Sequence, residues 1–195
     1  MKIKNIVLLF ACIITLNIYS QKPVYKGQEP IEQVSTVSKP VQKQWKGIFP
    51  FENDSVYFSN DFEGARLNGI IKDYDSTYTA LITSENTPIN VSPWYAFKVW
   101  SKHKKQIYLT LTYGEGYKHR YYPKLSNDGL HWTSMDSTDY VEFEKGDKNF
   151  GPGSLPLKVQ MTLSINPDTL WVSAQELQTS KHVKKWVEAL SEKPF

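Results

Sequence analysis

Gln106-Ile107-Tyr108-Leu109-Thr110-Leu111-Thr112-Tyr113 alternates polar and apolar side chains residue by residue. That is the period of a strand with one face in a core. Lys158-Val159-Gln160-Met161-Thr162-Leu163-Ser164-Ile165 repeats the pattern. Outward from these two, Val141 and Phe143, flanked by Glu142 and Glu144, read as a shorter half-buried strand. Trp94–Trp100 is apolar except for Lys98 and suits a central strand covered on both faces. Val56–Phe58, Tyr78–Ile82 and Leu170–Val172 complete the set. Between them lie Gly114-Glu115-Gly116 and Ser126-Asn127-Asp128-Gly129, where Gly and Asn accept the positive φ of tight turns. The expected fold is mainly β, an antiparallel β-sandwich over 45–174.

One helix closes the chain. Val183, Trp186, Val187 and Leu190 fall at i, i+3, i+4 and i+7, with Thr179 or Ser180 as N-cap, Pro194 beyond the end, and Lys181, Lys184 and Lys185 on the other face. This helix follows all the strands, and its apolar stripe needs a partner. Residues 175–195 are therefore expected to be the start of a second, truncated domain.

At the other end, Lys2 and Lys4 precede the apolar run Ile6–Ile18 and then Ser20, the build of a secretory signal over 1–20. The run is too short for a permanent membrane span, so export to the periplasm or beyond the cell is expected. Leu9-Phe10-Ala11-Cys12 loosely imitates a lipidation motif, which Phe10 fits poorly. Cys12 is the only cysteine, so removal of the signal leaves no disulfide or thiolate site. It also takes Lys+Arg from 23 to 21 against 20 Asp+Glu, a net charge of +1 that offers nucleic acid no broad attraction. Residues 21–44, with Pro23, Pro30 and Pro40, read as an extended lead-in.

No catalytic or metal-binding residue is expected in this chain. His103, His119, His131 and His182 are followed by Lys-Lys, Arg-Tyr, Trp-Thr and Val-Lys. None forms H-E-x-x-H or H-x-x-E, and solvated histidines are the simpler reading. Gly151-Pro152-Gly153-Ser154 is neither a nucleophile elbow nor a phosphate loop. Asp61 and Glu63 form an i, i+2 carboxylate pair that most simply belongs to a turn. The run Lys102-His103-Lys104-Lys105 reads as a solvated tip between strands. Trp94, Tyr121 and Trp132 lie near predicted loop ends where a sugar or peptide could stack, although aromatics also suit a disulfide-free core.

Phe58-Ser59-Asn60-Asp61-Phe62-Glu63-Gly64-Ala65-Arg66-Leu67 resembles the F-x-S-x-F-E-x-x-N-L opening of the N-terminal domain in zinc carboxypeptidases of the cytosolic-carboxypeptidase type. Trp94-Tyr95-Ala96-Phe97-Lys98-Val99 looks like that domain's W-F-Y-F-x-V strand. Pro167–Ala174 is similar to the family's passage from the sandwich into the catalytic domain. Ala65, Arg66 and Leu67 depart from the family's polar and Asn positions, and Ala96 stands where an aromatic is usual.

The resemblance implies an accessory sandwich whose partners are its own downstream catalytic domain and a peptide or protein substrate. Zinc would be held in that missing domain by H-x-x-E and a distant histidine, with a later glutamate as base and an arginine for the terminal carboxylate. No residue of this chain matches those positions. The alternative is a free-standing secreted module that grips glycans or peptides through Trp94, Tyr121 or Trp132.

Overall fold

A computed structural model describes residues 26–27, 44–84, 93–114, 117–145 and 156–192. Among these residues, twelve strands form two six-stranded sheets. In spatial order the first contains β1 (Lys26–Gly27), β4 (Gly69–Tyr74), β5 (Thr77–Ile82), β7 (Lys105–Tyr113), β11 (Pro156–Ile165) and β10 (Tyr140–Lys145). The second contains β2 (Ile48–Phe51), β3 (Val56–Ser59), β6 (Ala96–Ser101), β12 (Leu170–Ser173), β8 (Lys124–Ser126) and β9 (Thr133–Ser134). The α-helix α1 (Ser180–Ser191) follows the last strand. The expected mainly β sandwich is therefore the observed fold.

The two alternating stretches lie at its centre. β7 and β11 pair antiparallel, with Leu111 opposite Val159 and Ile107 opposite Leu163. Ile107, Leu109, Leu111, Val159, Met161, Leu163 and Ile165 are all buried. One pairing departs from the antiparallel expectation: β5 runs parallel to β7, Tyr78 beside Leu109. The intervening β6 lies in the other sheet, so the chain returns to the first sheet in its original direction. Phe58 of the second sheet packs between Phe97 of its own sheet and Tyr78 of the first, with ring centres 6.3 Å and 5.5 Å away. Such ring pairs contribute about 0.5–1.5 kcal/mol beyond the area they bury.

Three expectations need correction. Val141 and Phe143 are 47% and 40% exposed. The neighbouring Tyr140 packs against the core instead, and in a period-two strand the occupancy of one face by Tyr140 sends 141 and 143 to the other. β6 is central, as read, with Phe97 and Val99 fully buried. Its outer residues Lys98 and Trp100 are half-buried under neighbouring rings. His119 is 3% exposed, enclosed by Tyr95, Tyr113 and Tyr140.

The signal expected over 1–20, positions 115–116 of the first predicted turn, the 151–154 loop and Pro194 lie outside the described residues. Within the lead-in, β1 pairs antiparallel with β4. Among the described residues no helix is long and apolar enough to cross a membrane.

Candidate functional site: the joint between sandwich and helix

The segment Phe58–Leu67 turns where β3 ends, and buried polar chemistry fixes the turn. Asn60 is fully buried. Its amide donates to the carbonyls of Trp45 (2.6 Å) and Leu67 (2.8 Å) and accepts from the Gly47 amide (2.9 Å). A side chain that both donates and accepts can satisfy three backbone groups that folding removes from water. Arg66 exchanges backbone hydrogen bonds with Ala96 at 2.8 and 3.1 Å, and its guanidinium donates to the carbonyl and hydroxyl of Thr83 at 3.0 and 3.3 Å.

Between these anchors, Phe62-Glu63-Gly64 faces outward. The Phe62 ring meets Trp171 edge-on at 4.8 Å. Lys98 Nζ sits 4.2 Å from the Trp171 ring centre and 5.1 Å from that of Phe62, a geometry in which the ring quadrupoles attract the cation. Partial burial lowers the Lys98 pKa, opposed by Asp61.

Glu63 reaches the helix. One carboxylate oxygen accepts from both the Ser180 hydroxyl (2.6 Å) and the Ser180 amide (3.0 Å). These two bonds hold its carboxyl below the ordinary range, with smaller help from Lys181 and His182. Glu63 thus supplies negative charge at the helix N-terminus, where the exposed N–H groups and the macrodipole favour it. The Thr179 hydroxyl caps the same turn by accepting from the His182 amide. One carboxylate oxygen of Glu63 is accordingly occupied with Ser180.

Gly64 completes the joint. Its φ of +82° is one that residues with a Cβ avoid, and a Cβ there would lie 3.3 Å from Leu177 Cδ2. Its carbonyl accepts from the Trp94 indole at 3.0 Å. Leu177, the last apolar residue before the helix, is 5% exposed.

Beyond that point burial stops. No residue of α1 is buried. Trp186 is 64% exposed, and Val183, Val187 and Leu190 are also exposed.

The three aromatics singled out in the sequence sit on three different segments. Trp94 belongs to the joint through its bond to Gly64. Tyr121 packs on the core, and its carbonyl accepts from the Tyr95 hydroxyl at 2.7 Å. Trp132, half-buried, lies between His131 and Thr133 in the β8–β9 loop. His131 and Thr133 line an open hollow of about 420 Å³ with Leu125, Asp128 and Leu170. There the predicted turn is present: Ser126 Oγ accepts from the Gly129 amide, and Asp128 accepts from the amides of Leu130 and His131. Asp128 also pairs with His131 Nδ1 at 2.7 Å. The pair drives the Asp128 pKa well down and the His131 pKa up.

Sequence reading missed the buried His119. Its Nδ1 lies 2.5 Å from the Tyr113 hydroxyl. Burial lowers its pKa to about 4, partly opposed by the Tyr121 backbone. Burial also pushes the Tyr95 and Tyr113 hydroxyls well above their ordinary range. Among the described residues, no three His, Cys, Asp or Glu side chains come together as a metal site would require.

No protein-family model matches the sequence, and no curated protein matches it. Solved structures do resemble the fold. A metallo-carboxypeptidase from Burkholderia cenocepacia is 9% identical, with a TM-score of 0.48 over 71% of this chain and 34% of its own. A protein designated a carboxypeptidase from Burkholderia mallei ATCC 23344 is 9% identical, with a TM-score of 0.52 over 74% and 34%. One designated carboxypeptidase A from Shewanella denitrificans OS-217 is 12% identical, with a TM-score of 0.49 over 70% and 34%. At these identities the likeness is one of fold, and the chain spans about a third of the length of each of these three structures.

Proposed function

We propose that this chain is the N-terminal accessory β-sandwich of an exported zinc metallocarboxypeptidase, an enzyme that hydrolyses C-terminal residues from peptides. The observation that carries the proposal is a helix whose apolar stripe, Val183, Trp186, Val187 and Leu190, is exposed after a sandwich with a packed interior. A soluble helix with that pattern is normally laid against another apolar surface. The shared fold with the Burkholderia mallei protein, of which this chain covers 34%, supports a following domain as that surface. The chemistry would then belong to the following domain, which would hold the zinc through residues that this chain does not contain.

Two measurements test the proposal. Continuing the reading frame past Phe195 is expected to reveal H-x-x-E and a later histidine, and a stop with no such motif in the frame would contradict it. The purified 195-residue chain, supplied with zinc and peptide substrates, is expected to release no C-terminal residue.

The open hollow lined by Leu125, Asp128, His131 and Leu170, on the loop that also contains Trp132, favours a second reading, a module that binds glycans or peptides without catalysis. Under it, binding to an array of glycans and peptides would be lost in Trp132→Ala. Absence of any binding by the native chain would remove it.

A further inference from the structure

We propose that Glu63 is a positioning residue, a clamp that fixes the direction in which α1 leaves the sandwich. The inference rests on the reading that α1 belongs to a following domain, whose placement the clamp would then set.

Three independent observations meet at this point. Glu63 Oε1 takes both the hydroxyl and the amide of Ser180, residues 117 apart in the chain. Leu177 is buried beside Gly64, in space that a Cβ at position 64 would crowd. The Gly64 carbonyl is in turn held by the indole of Trp94, just ahead of β6. The turn that bears Glu63 is therefore tied to the sandwich on one side and to the first helical turn on the other.

No residue of α1 is buried, so side-chain packing along the helix cannot fix its direction. Among the described residues, the restraints around the start of the helix are the buried Leu177, the Lys124–Glu176 ion pair at 3.0 Å, the Thr179 cap, the bond from His182 Nδ1 to the Leu177 carbonyl, and the clamp. Of these, only Glu63 links the helix itself to a distant part of the chain. Leu177 and Glu176 anchor the chain just ahead of the helix, and Thr179 and His182 bond within that chain, so none of them ties the helix itself to the sandwich. A carboxylate accepting two donors from one residue restrains both distance and direction. Its charge also favours the helix N-terminus. The same turn contains Phe62, whose ring lies on Trp171. Movement of the helix would thus be resisted by a turn that is itself immobilised.

Residual dipolar couplings of the ¹⁵N-labelled 195-residue chain test this directly. In the native protein the couplings of α1 and of the sandwich are expected to fit a single alignment. In Glu63→Ala, α1 is expected to lose that shared alignment while sandwich couplings and melting temperature stay unchanged. Glu63→Gln, which keeps an acceptor oxygen, is expected to restore it at least in part, and Ser180→Ala, which removes one of the two donors, to weaken it. Native-like α1 couplings in Glu63→Ala would overturn the proposal, as would changes spread through the sandwich. Neither result bears on the accessory-domain reading, which the frame beyond Phe195 judges separately.

Discussion

The strand pair β7–β11 and the helix α1 carry equally clear apolar patterns, yet the first is sealed and the second is open. Ile107, Leu109 and Leu111 of β7 face Val159, Met161 and Leu163 of β11 in a continuous buried layer. Val183, Trp186, Val187 and Leu190 of α1 remain exposed. Periodicity states which face an element wants to bury; it does not state what the element will bury it against. Phe58, Phe97 and Tyr78 span the interior between the two sheets, and among the described residues the link from the sandwich to the helix itself is the turn that bears Glu63. Most of the folding energy should accordingly reside in the sandwich, with α1 a local unit of low stability.

The largest expected effect sharpens that contrast. Phe58→Ala removes a fully buried ring between the sheets and is expected to cost about 3–5 kcal/mol in chemical denaturation. A cost within the range of a surface substitution would break the claim that the sandwich is the stable unit.

Next comes pH. His119 is neutral in the folded protein, its pKa lowered by burial to about 4 from 6.5. The unfolded chain therefore takes up a proton that the folded chain refuses. Stability is expected to be fully present above about pH 6.5 and to fall by up to about 3 kcal/mol as pH drops toward 4. Denaturation midpoints measured over that window should show the loss, and His119→Gln should flatten that part of the profile. The three-bond Asn60 hub is expected to matter somewhat less. Asn60→Ala should cost about 2–3 kcal/mol in the same denaturation experiment, because it strands backbone groups of Gly47 and Leu67.

Much of the sandwich was legible because its central strands alternate strictly. β7, β11 and the Val56–Phe58 and Leu170–Val172 stretches are where the pattern puts them. The strands that escaped have physical reasons to do so. β2 reads Ile-Phe-Pro-Phe, and Pro50 lacks the amide hydrogen that a strand interior normally uses. β4 reads Gly-Ile-Ile-Lys-Asp-Tyr, with no clean alternation and a register shift between Lys72 and Tyr74. β8 and β9 are too short to show any period.

The helix and its Thr179 cap were legible because both signals are local. The candidate site was not. Glu63 meets Ser180 across 117 residues of sequence, and its neighbours mark it only as a turn carboxylate. His119 stands between Lys118 and Arg120, a context that suggests solvent, and only the tertiary closure of Tyr95, Tyr113 and Tyr140 buries it. The resemblance carried by Phe58–Leu67 falls on the same segment but assigns it no contact with the helix.

The smallest expected effect belongs to the helix. Trp186→Ala removes a large ring that touches no core and should change the stability of the chain by no more than about 0.5 kcal/mol. A loss comparable to that of Phe58→Ala would show that the ring is buried in solution.

Hydrogen exchange across α1 in the 195-residue chain tests the central claim most directly. The amides from Val183 to Leu190 are expected to exchange through local opening, far faster than those of Ile107, Leu109 and Leu111 in β7. Protection of the helix equal to that of β7 would mean that its apolar stripe already has a partner within this domain, and would contradict the account.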